Sequence, residues 1–73
     1  MKITVIIPTH NEKESIGGLL DTLAGKIFKT IPNYKMEILV VDGNSPDGTA
    51  GVVKTKSATY PNIHLLVEKE KRG

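Results

Sequence analysis

The chain has 73 residues, 38% of them hydrophobic and 25% charged, with one Phe, two Tyr, no Trp and no Cys. A fold of this size buries only about 60% of the surface its unfolded chain exposes, and without cysteine no disulfide framework or thiolate zinc site can reinforce it, which excludes a small secreted scaffold. The net charge of +2 is scattered except at Lys69, Lys71 and Arg72, so no nucleic-acid partner is indicated, and no apolar run approaches the roughly 20 residues of a membrane span, so the segment reads as cytoplasmic.

Ile3-Thr4-Val5-Ile6-Ile7 is a β-branched run ended by Pro8, with the length and composition of a buried strand. A helix follows. Asn11 as N-cap with Glu14 three residues later has the form of a capping box, and Ile16, Leu19, Leu20, Leu23 and Ile27 recur at helical spacing as one apolar stripe. Gly25 is placed to end the regular part, and Pro32-Asn33 marks the turn into a second strand, Glu37 to Asp42. Ser45-Pro46-Asp47 then has helix-start chemistry: Ser45 as cap, Pro46 at the first helical position and Asp47 against the positive end of the helix dipole. That second helix is weakened by Gly48 and Gly51 and stops before Tyr60-Pro61-Asn62, after which Ile63 to Val67 forms a third strand.

Strand, helix, strand, helix, strand with short connections is the order of two successive βαβ units, hence an α/β fold with a three-stranded parallel sheet. No linker, repeat or low-complexity tract divides it, so residues 1–73 read as one unit. With the strands side by side in chain order, two right-handed crossovers place both helices on one face. Yet Ile38 to Val41 and Val5 to Ile7 offer apolar side chains to both faces, as in sheets covered on both sides. Further chain or a neighbouring molecule is expected to cover the second face, and the sequence reads as the first part of a larger α/β domain.

Ligands of open α/β sheets bind beyond the carboxyl ends of the strands. The segments there are Pro8 to Glu12, Asp42 to Thr49 and Glu68 to Gly73, all polar. Carboxylates at two strand ends suit ribose hydroxyls or base N–H groups, and the basic third segment suits phosphate. Neither G-x-G-x-x-G nor the Walker pattern is present, which removes the dinucleotide-binding and phosphate-loop hydrolase readings. His10 has no Cys or second His at metal-ligand spacing and reads as loop filler, and His64 as a sheet-edge residue. A Glu at position 12 is by itself ordinary first-turn dipole chemistry, and Pro-Asp-Gly around Asp47 ordinary turn chemistry.

Val5-Ile-Ile-Pro-Thr-His-Asn-Glu12 and Ile38-Leu-Val-Val-Asp-Gly-Asn-Ser-Pro-Asp-Gly-Thr49 resemble the two opening motifs of family-two glycosyltransferases with the GT-A fold. The Ser-Pro-Asp-Gly-Thr segment and Glu68-Lys-Glu-Lys-Arg-Gly73 are most similar to dolichol-phosphate and polyprenol-phosphate mannosyltransferases. The resemblance implies an N-terminal, Rossmann-like part of such an enzyme. It implies that Pro8, Thr9, Asn11 and Glu12 lie along the nucleotide, with Glu12 near the ribose. Asp42 would meet the base, Asp47 would order its loop and Arg72 would sit near the donor phosphates. His10 stands where tyrosine is common, and Gly43 where a second acidic residue is common.

The implied reaction is transfer of a sugar, mannose from GDP-mannose being favoured, to a dolichyl or polyprenyl phosphate. It proceeds with inversion, at the cytoplasmic membrane face, with a divalent metal (Mg or Mn) at the departing diphosphate. The Asp-x-Asp metal motif and the acceptor site of the family fall after these residues, so no catalytic or metal residue is assigned and the chain alone is expected to be inactive. Two alternatives stay open: a family-two transferase using a UDP-sugar, and a non-catalytic nucleotide-binding or self-associating module.

Overall fold

The computed structural model describes residues 2–31 and 33–68. Strands β1 (Lys2–Thr9), β2 (Lys35–Asp42) and β3 (Ile63–Val67) alternate with helices α1 (Lys13–Thr22) and α2 (Thr49–Thr59). The sheet is parallel throughout, in the order β1-β2-β3. This is the expected three-stranded α/β arrangement. α1 packs against α2, and their buried residues Ile16, Leu20, Ala24 and Val53 share one core with Ile38, Val40 and Ile63 of the sheet. Both helices therefore lie on one face, as two right-handed crossovers require.

The apolar stripe of α1 is narrower than its sequence spacing predicts. Ile16 and Leu20 are buried, but Leu19 and Ile27 are each 45% exposed. For Ile27 the reason is a change of pitch: regular α-helix stops at Thr22 and continues as a π turn, Leu23–Ile27, and a 3-10 turn, Phe28–Thr30. The wider turn shifts the helical phase, so Ala24 faces the core and Ile27 rotates outward. Gly25 sits inside this π turn and does not end it. A Cβ there would lie 3.0 Å from the Tyr60 hydroxyl, so glycine is what lets the Tyr60 ring close over the helix. Beside it the Lys56 ammonium meets the Asp21 carboxylate at 2.8 Å.

The other sheet face carries Thr4, Ile6 and Pro8 of β1, Glu37, Leu39 and Val41 of β2, and His64 and Leu66 of β3, aligned by the strand register. Ile6 is 63% and Leu66 52% exposed. The face is divided along the strands. Towards their amino ends, Glu37 is approached by Lys2 at 3.5 Å and His64 at 3.7 Å, while Ile6, Pro8, Leu39, Val41 and Leu66 form an apolar strip towards the carboxyl ends. Among the described residues no helix covers this strip, and no helix is long and apolar enough to cross a membrane.

Candidate functional site

The carboxyl ends of β1 and β2 stop side by side, with Thr9 and Asp42 as the last register partners. Thr9 is buried and Asp42 fully so. Asp42 Oδ1 accepts hydrogen bonds from the Thr9 hydroxyl at 2.8 Å and the Ser45 hydroxyl at 2.7 Å, while Oδ2 accepts from the Ser45 amide at 2.9 Å. The main chain adds a bond from the Gly43 amide to the Thr9 carbonyl at 3.0 Å, and another from the Glu68 amide to the Asp42 carbonyl at 2.8 Å. Burial by itself pushes the Asp42 carboxyl up, and the charge of Asp47 acts the same way. The bonds from Ser45 and Thr9 outweigh both, so the group is held below the ordinary carboxylate value. An ionised side chain ending a buried strand is thus satisfied from within.

A second carboxylate joins the two loops. Asp47 Oδ1 accepts from the amide and the hydroxyl of Thr49, and Oδ2 accepts from the Lys13 amide at 3.1 Å. The Thr49 hydroxyl in turn accepts from the Glu12 amide at 2.9 Å, and the Ser45 hydroxyl from the Asn11 amide at 2.8 Å. The Thr49 side-chain bond, followed by the opposing cost of burial and the bonds from the Lys13 and Thr49 amides, leaves the Asp47 carboxyl below its ordinary value.

This network replaces the capping box that the sequence suggests. Asn11 does not cap α1: it has φ 53, a left-handed conformation that asparagine tolerates, and Glu12 stands at the cap position with no side-chain capping bond. Amides at and before the start of α1 are instead satisfied across the loops by Ser45, Thr49 and Asp47, residues 34 to 37 positions away. The second helix also starts later than Ser45-Pro46-Asp47 implies, at Thr49, after Gly48 with φ 93. Asn44 is left-handed as well, at φ 59. Ser45 and Thr49 are hubs of the site that sequence reasoning passed over as hubs. Their signal was the pair of hydroxyl residues flanking Pro46-Asp47-Gly48.

Beside the network lies an open depression of about 430 Å³ lined by Asn11, Glu12, Lys13, Glu14, Ser15 and Asp47. Its chemistry is acidic, with three carboxylates and one ammonium. Because the Asn11, Glu12 and Lys13 amides are already engaged, the start of α1 does not present them to a phosphate. Carboxylates accept from hydroxyl groups, so the depression suits a sugar diol better than an anion. Glu12 is exposed, and its Oε2 accepts from the Ser15 hydroxyl at 3.2 Å.

The structure thus brings Thr9, Asn11, Glu12, Asp42 and Asp47 together, two of them exposed at the depression and the others within the joint between loops. Pro8, although next to Thr9, points to the open sheet face. Lys69, Lys71 and Arg72 lie outside the described residues. Among the described residues no group of three His, Cys, Asp or Glu side chains is placed to hold a metal ion. The implied divalent ion therefore finds no ligand set there.

Comparison with known proteins agrees with this architecture. Residues 4–73 match Glycosyl transferase family 2. The chain is 39% identical over 71 residues to glycosyltransferase AglE of Haloferax volcanii, covering 97% of this chain and 22% of that protein. It is 38% identical over 73 residues to undecaprenyl-phosphate mannosyltransferase of Micrococcus luteus, covering 100% of this chain and 28% of that one. It is also similar to the structure of mannosyltransferase PcManGT from Pyrobaculum calidifontis in complex with GDP-Man and Mn2+, with a TM-score of 0.78 and 38% identity over 96% of this chain and 20% of that one. The chain thus spans between a fifth and three tenths of the length of these relatives. Its three parallel strands and two helices are a partial GT-A-like domain, and with the family match extending over residues 4–73 the chain belongs to glycosyl transferase family 2.

Proposed function

We propose that this chain supplies nucleotide-sugar recognition in a hexosyltransferase that moves mannose from GDP-mannose to a polyprenyl or dolichyl phosphate. The observation that carries the donor assignment is the similarity, over 96% of the chain, to a structure whose complex holds GDP-Man. The acceptor assignment rests on the similarity to an undecaprenyl-phosphate mannosyltransferase. In this reading Glu12 and Asn11 face the ribose from the acidic depression, Thr9, Asp42 and Asp47 hold the loops in register, Pro8 fixes the exit of β1, and Arg72 serves the diphosphate.

The described residues supply binding and orientation. The transfer itself also needs an acceptor site and a partner for the leaving diphosphate, and the 73-residue chain is proposed to be inactive alone. Turnover of radiolabelled GDP-mannose by the isolated chain would overturn that point.

The binding reading is tested by an amide NMR titration of the chain with GDP and with UDP, each with and without a divalent ion. Shifts confined to residues 9–15 and 42–49 support a preformed nucleotide half-site, and the stronger ligand identifies the base. A dispersed spectrum that responds to neither ligand refutes it. One observation favours a second reading, a self-associating module: the apolar strip of Ile6, Leu39, Val41 and Leu66 on the open sheet face. Sedimentation at micromolar concentration separates the two, since a monomer leaves the strip to further chain of the same domain.

A further inference from the structure

Asn11 is held in the left-handed region, at φ 53, and the peptide N–H on each side of its Cα is taken by a hydroxyl from the other loop. Its own amide donates to Ser45 at 2.8 Å, and the next, that of Glu12, donates to Thr49 at 2.9 Å. The two hydroxyls are not equivalent. Ser45 also donates to Asp42, so it belongs to the joint that ties the strand ends together. Thr49 is fully buried in the first turn of α2 and donates to Asp47, which stands at the edge of the acidic depression. A hydroxyl that donates to a carboxylate is a stronger acceptor, so the Asp47 charge is felt through Thr49 at the Glu12 amide.

Glu12 is thereby clamped on both sides. Its carbonyl accepts from the Ile16 amide at 2.8 Å and the Ser15 amide at 3.1 Å, bonds that the first turn of any helix can make. The clamp on its amide is of another kind, coming from 37 positions away and existing only when the loop after β2 is closed. The side chain between these clamps is exposed and lines the depression. Resting on the nucleotide reading above, we propose that Thr49 is the positioning residue for Glu12: its hydroxyl sets the direction in which the Glu12 carboxylate enters the depression, and so how firmly a ribose diol is held there. Thr49 is too deeply buried to meet the ligand itself. Without its hydroxyl the Glu12 amide loses its acceptor and Asn11 is released from the left-handed region, which turns the start of α1 and Glu12 with it.

The test measures affinity by amide titration of the full 73-residue chain for GDP and for its dideoxyribose analogue, which keeps the base and diphosphate and lacks the diol. In the wild type GDP is expected to bind about tenfold more tightly than the analogue, the effect of one hydrogen bond to a charged group. Thr49→Val keeps the shape and removes the hydroxyl; it should bring GDP down to the level of the analogue and leave the analogue unchanged. Thr49→Ser keeps the hydroxyl and should keep the preference, and in a Glu12→Gln background Thr49→Val should change nothing further. Val53→Ala, a core change further along α2, lowers stability without touching the bonds between the loops and should keep the preference too. If Thr49→Val loses its dispersed spectrum, Asp47→Asn is read in its place with a fall in the same direction, because it withdraws the charge behind the hydroxyl. A preference unchanged in Thr49→Val, an equal loss for both ligands, or the same loss in Val53→Ala overturns the assignment to Thr49 and leaves the nucleotide reading standing. A wild type that binds both ligands alike also overturns it, by removing the diol from the site. Absence of any response to either ligand in the wild type overturns the nucleotide reading and this inference with it.

Discussion

Thr9 and Asp42, the last register partners of β1 and β2, are joined by a 2.8 Å hydrogen bond in which the buried threonine hydroxyl donates to the buried carboxylate. Ser45 closes the arrangement from the following loop. A charge that would be costly inside a small α/β core is thereby turned into the point on which both loops hang.

Removing that point should be expensive. Asp42→Ala leaves the Thr9 hydroxyl and the Ser45 amide without their acceptor, and loss of hydrogen bonds to a buried charged group costs about 2–3 kcal/mol. In a domain of this size such a loss is a large share of total stability. Urea denaturation followed by circular dichroism is expected to show Asp42→Ala largely unfolded in buffer, with Ser45→Ala intermediate between it and the wild type. A midpoint for Asp42→Ala equal to that of the wild type would contradict the role.

Acid should loosen the same joint. Asp42 and Asp47 both have folded values below their ordinary one, so the stability they contribute is fully present above the unfolded carboxyl value of about 3.9 and is lost as pH falls through the lower folded values. Between pH 7 and about pH 5 the urea midpoint of the wild type is expected to hold, and below that range to fall. Asp47→Asn should start lower at pH 7, and the gap between the two proteins should narrow on acidification. A gap that stays constant down to pH 2 would show that Asp47 contributes nothing through its charge.

Three glycines separate helix propensity from backbone geometry. A Cβ at Gly18 or Gly51 meets nothing within 4 Å, and both positions are inside helices. Gly18→Ala and Gly51→Ala should each stabilise the chain by up to about 1 kcal/mol. Gly48 has φ 93, where a side chain is strained, so Gly48→Ala should destabilise it by about 1–2 kcal/mol. Thermal melts of the three variants check the opposite signs.

The open sheet face gives a prediction about association. Ile6 and Leu66 are 63% and 52% exposed, so Ile6→Lys and Leu66→Lys remove apolar surface from water contact without opening the core. Each should leave the melting temperature within a few degrees and shift sedimentation of concentrated samples towards monomer. Unchanged sedimentation in both variants would show that the strip takes no part in contacts between copies.

Much of this molecule was legible because short-range chemistry dictated it. The β-branched runs at Ile3 to Ile7, Ile38 to Val41 and Ile63 to Val67 formed strands where side chains pack well on a pleated surface. Their short connections left only a parallel sheet with both helices on one face. The same chirality left the second face without helices among the described residues, although the apolar residues on both sides of β2 suit a sheet covered on both faces. The polar residues that gather at the strand ends were legible as a group, because strand polarity alone sends them there.

Their individual roles were decided by contacts between residues more than 30 positions apart. Asn11 and Glu14 have the local pattern of a capping box, but Ser45, Thr49 and Asp47 approach from the other loop and satisfy the amides at the start of α1 first. The structural role of Asp42 was hidden because its bonding partner Thr9 belongs to a neighbouring strand that no local window contains. The π turn after Thr22 turned Ile27 outward where a regular helical period would bury it. Sequence by itself determined which elements form and to which end of the sheet the polar groups go, since propensity and chirality act locally. Only the tertiary structure decided which of those groups hold one another and which still face solvent, because a hydrogen bond between loops exists only once the strands have brought them side by side.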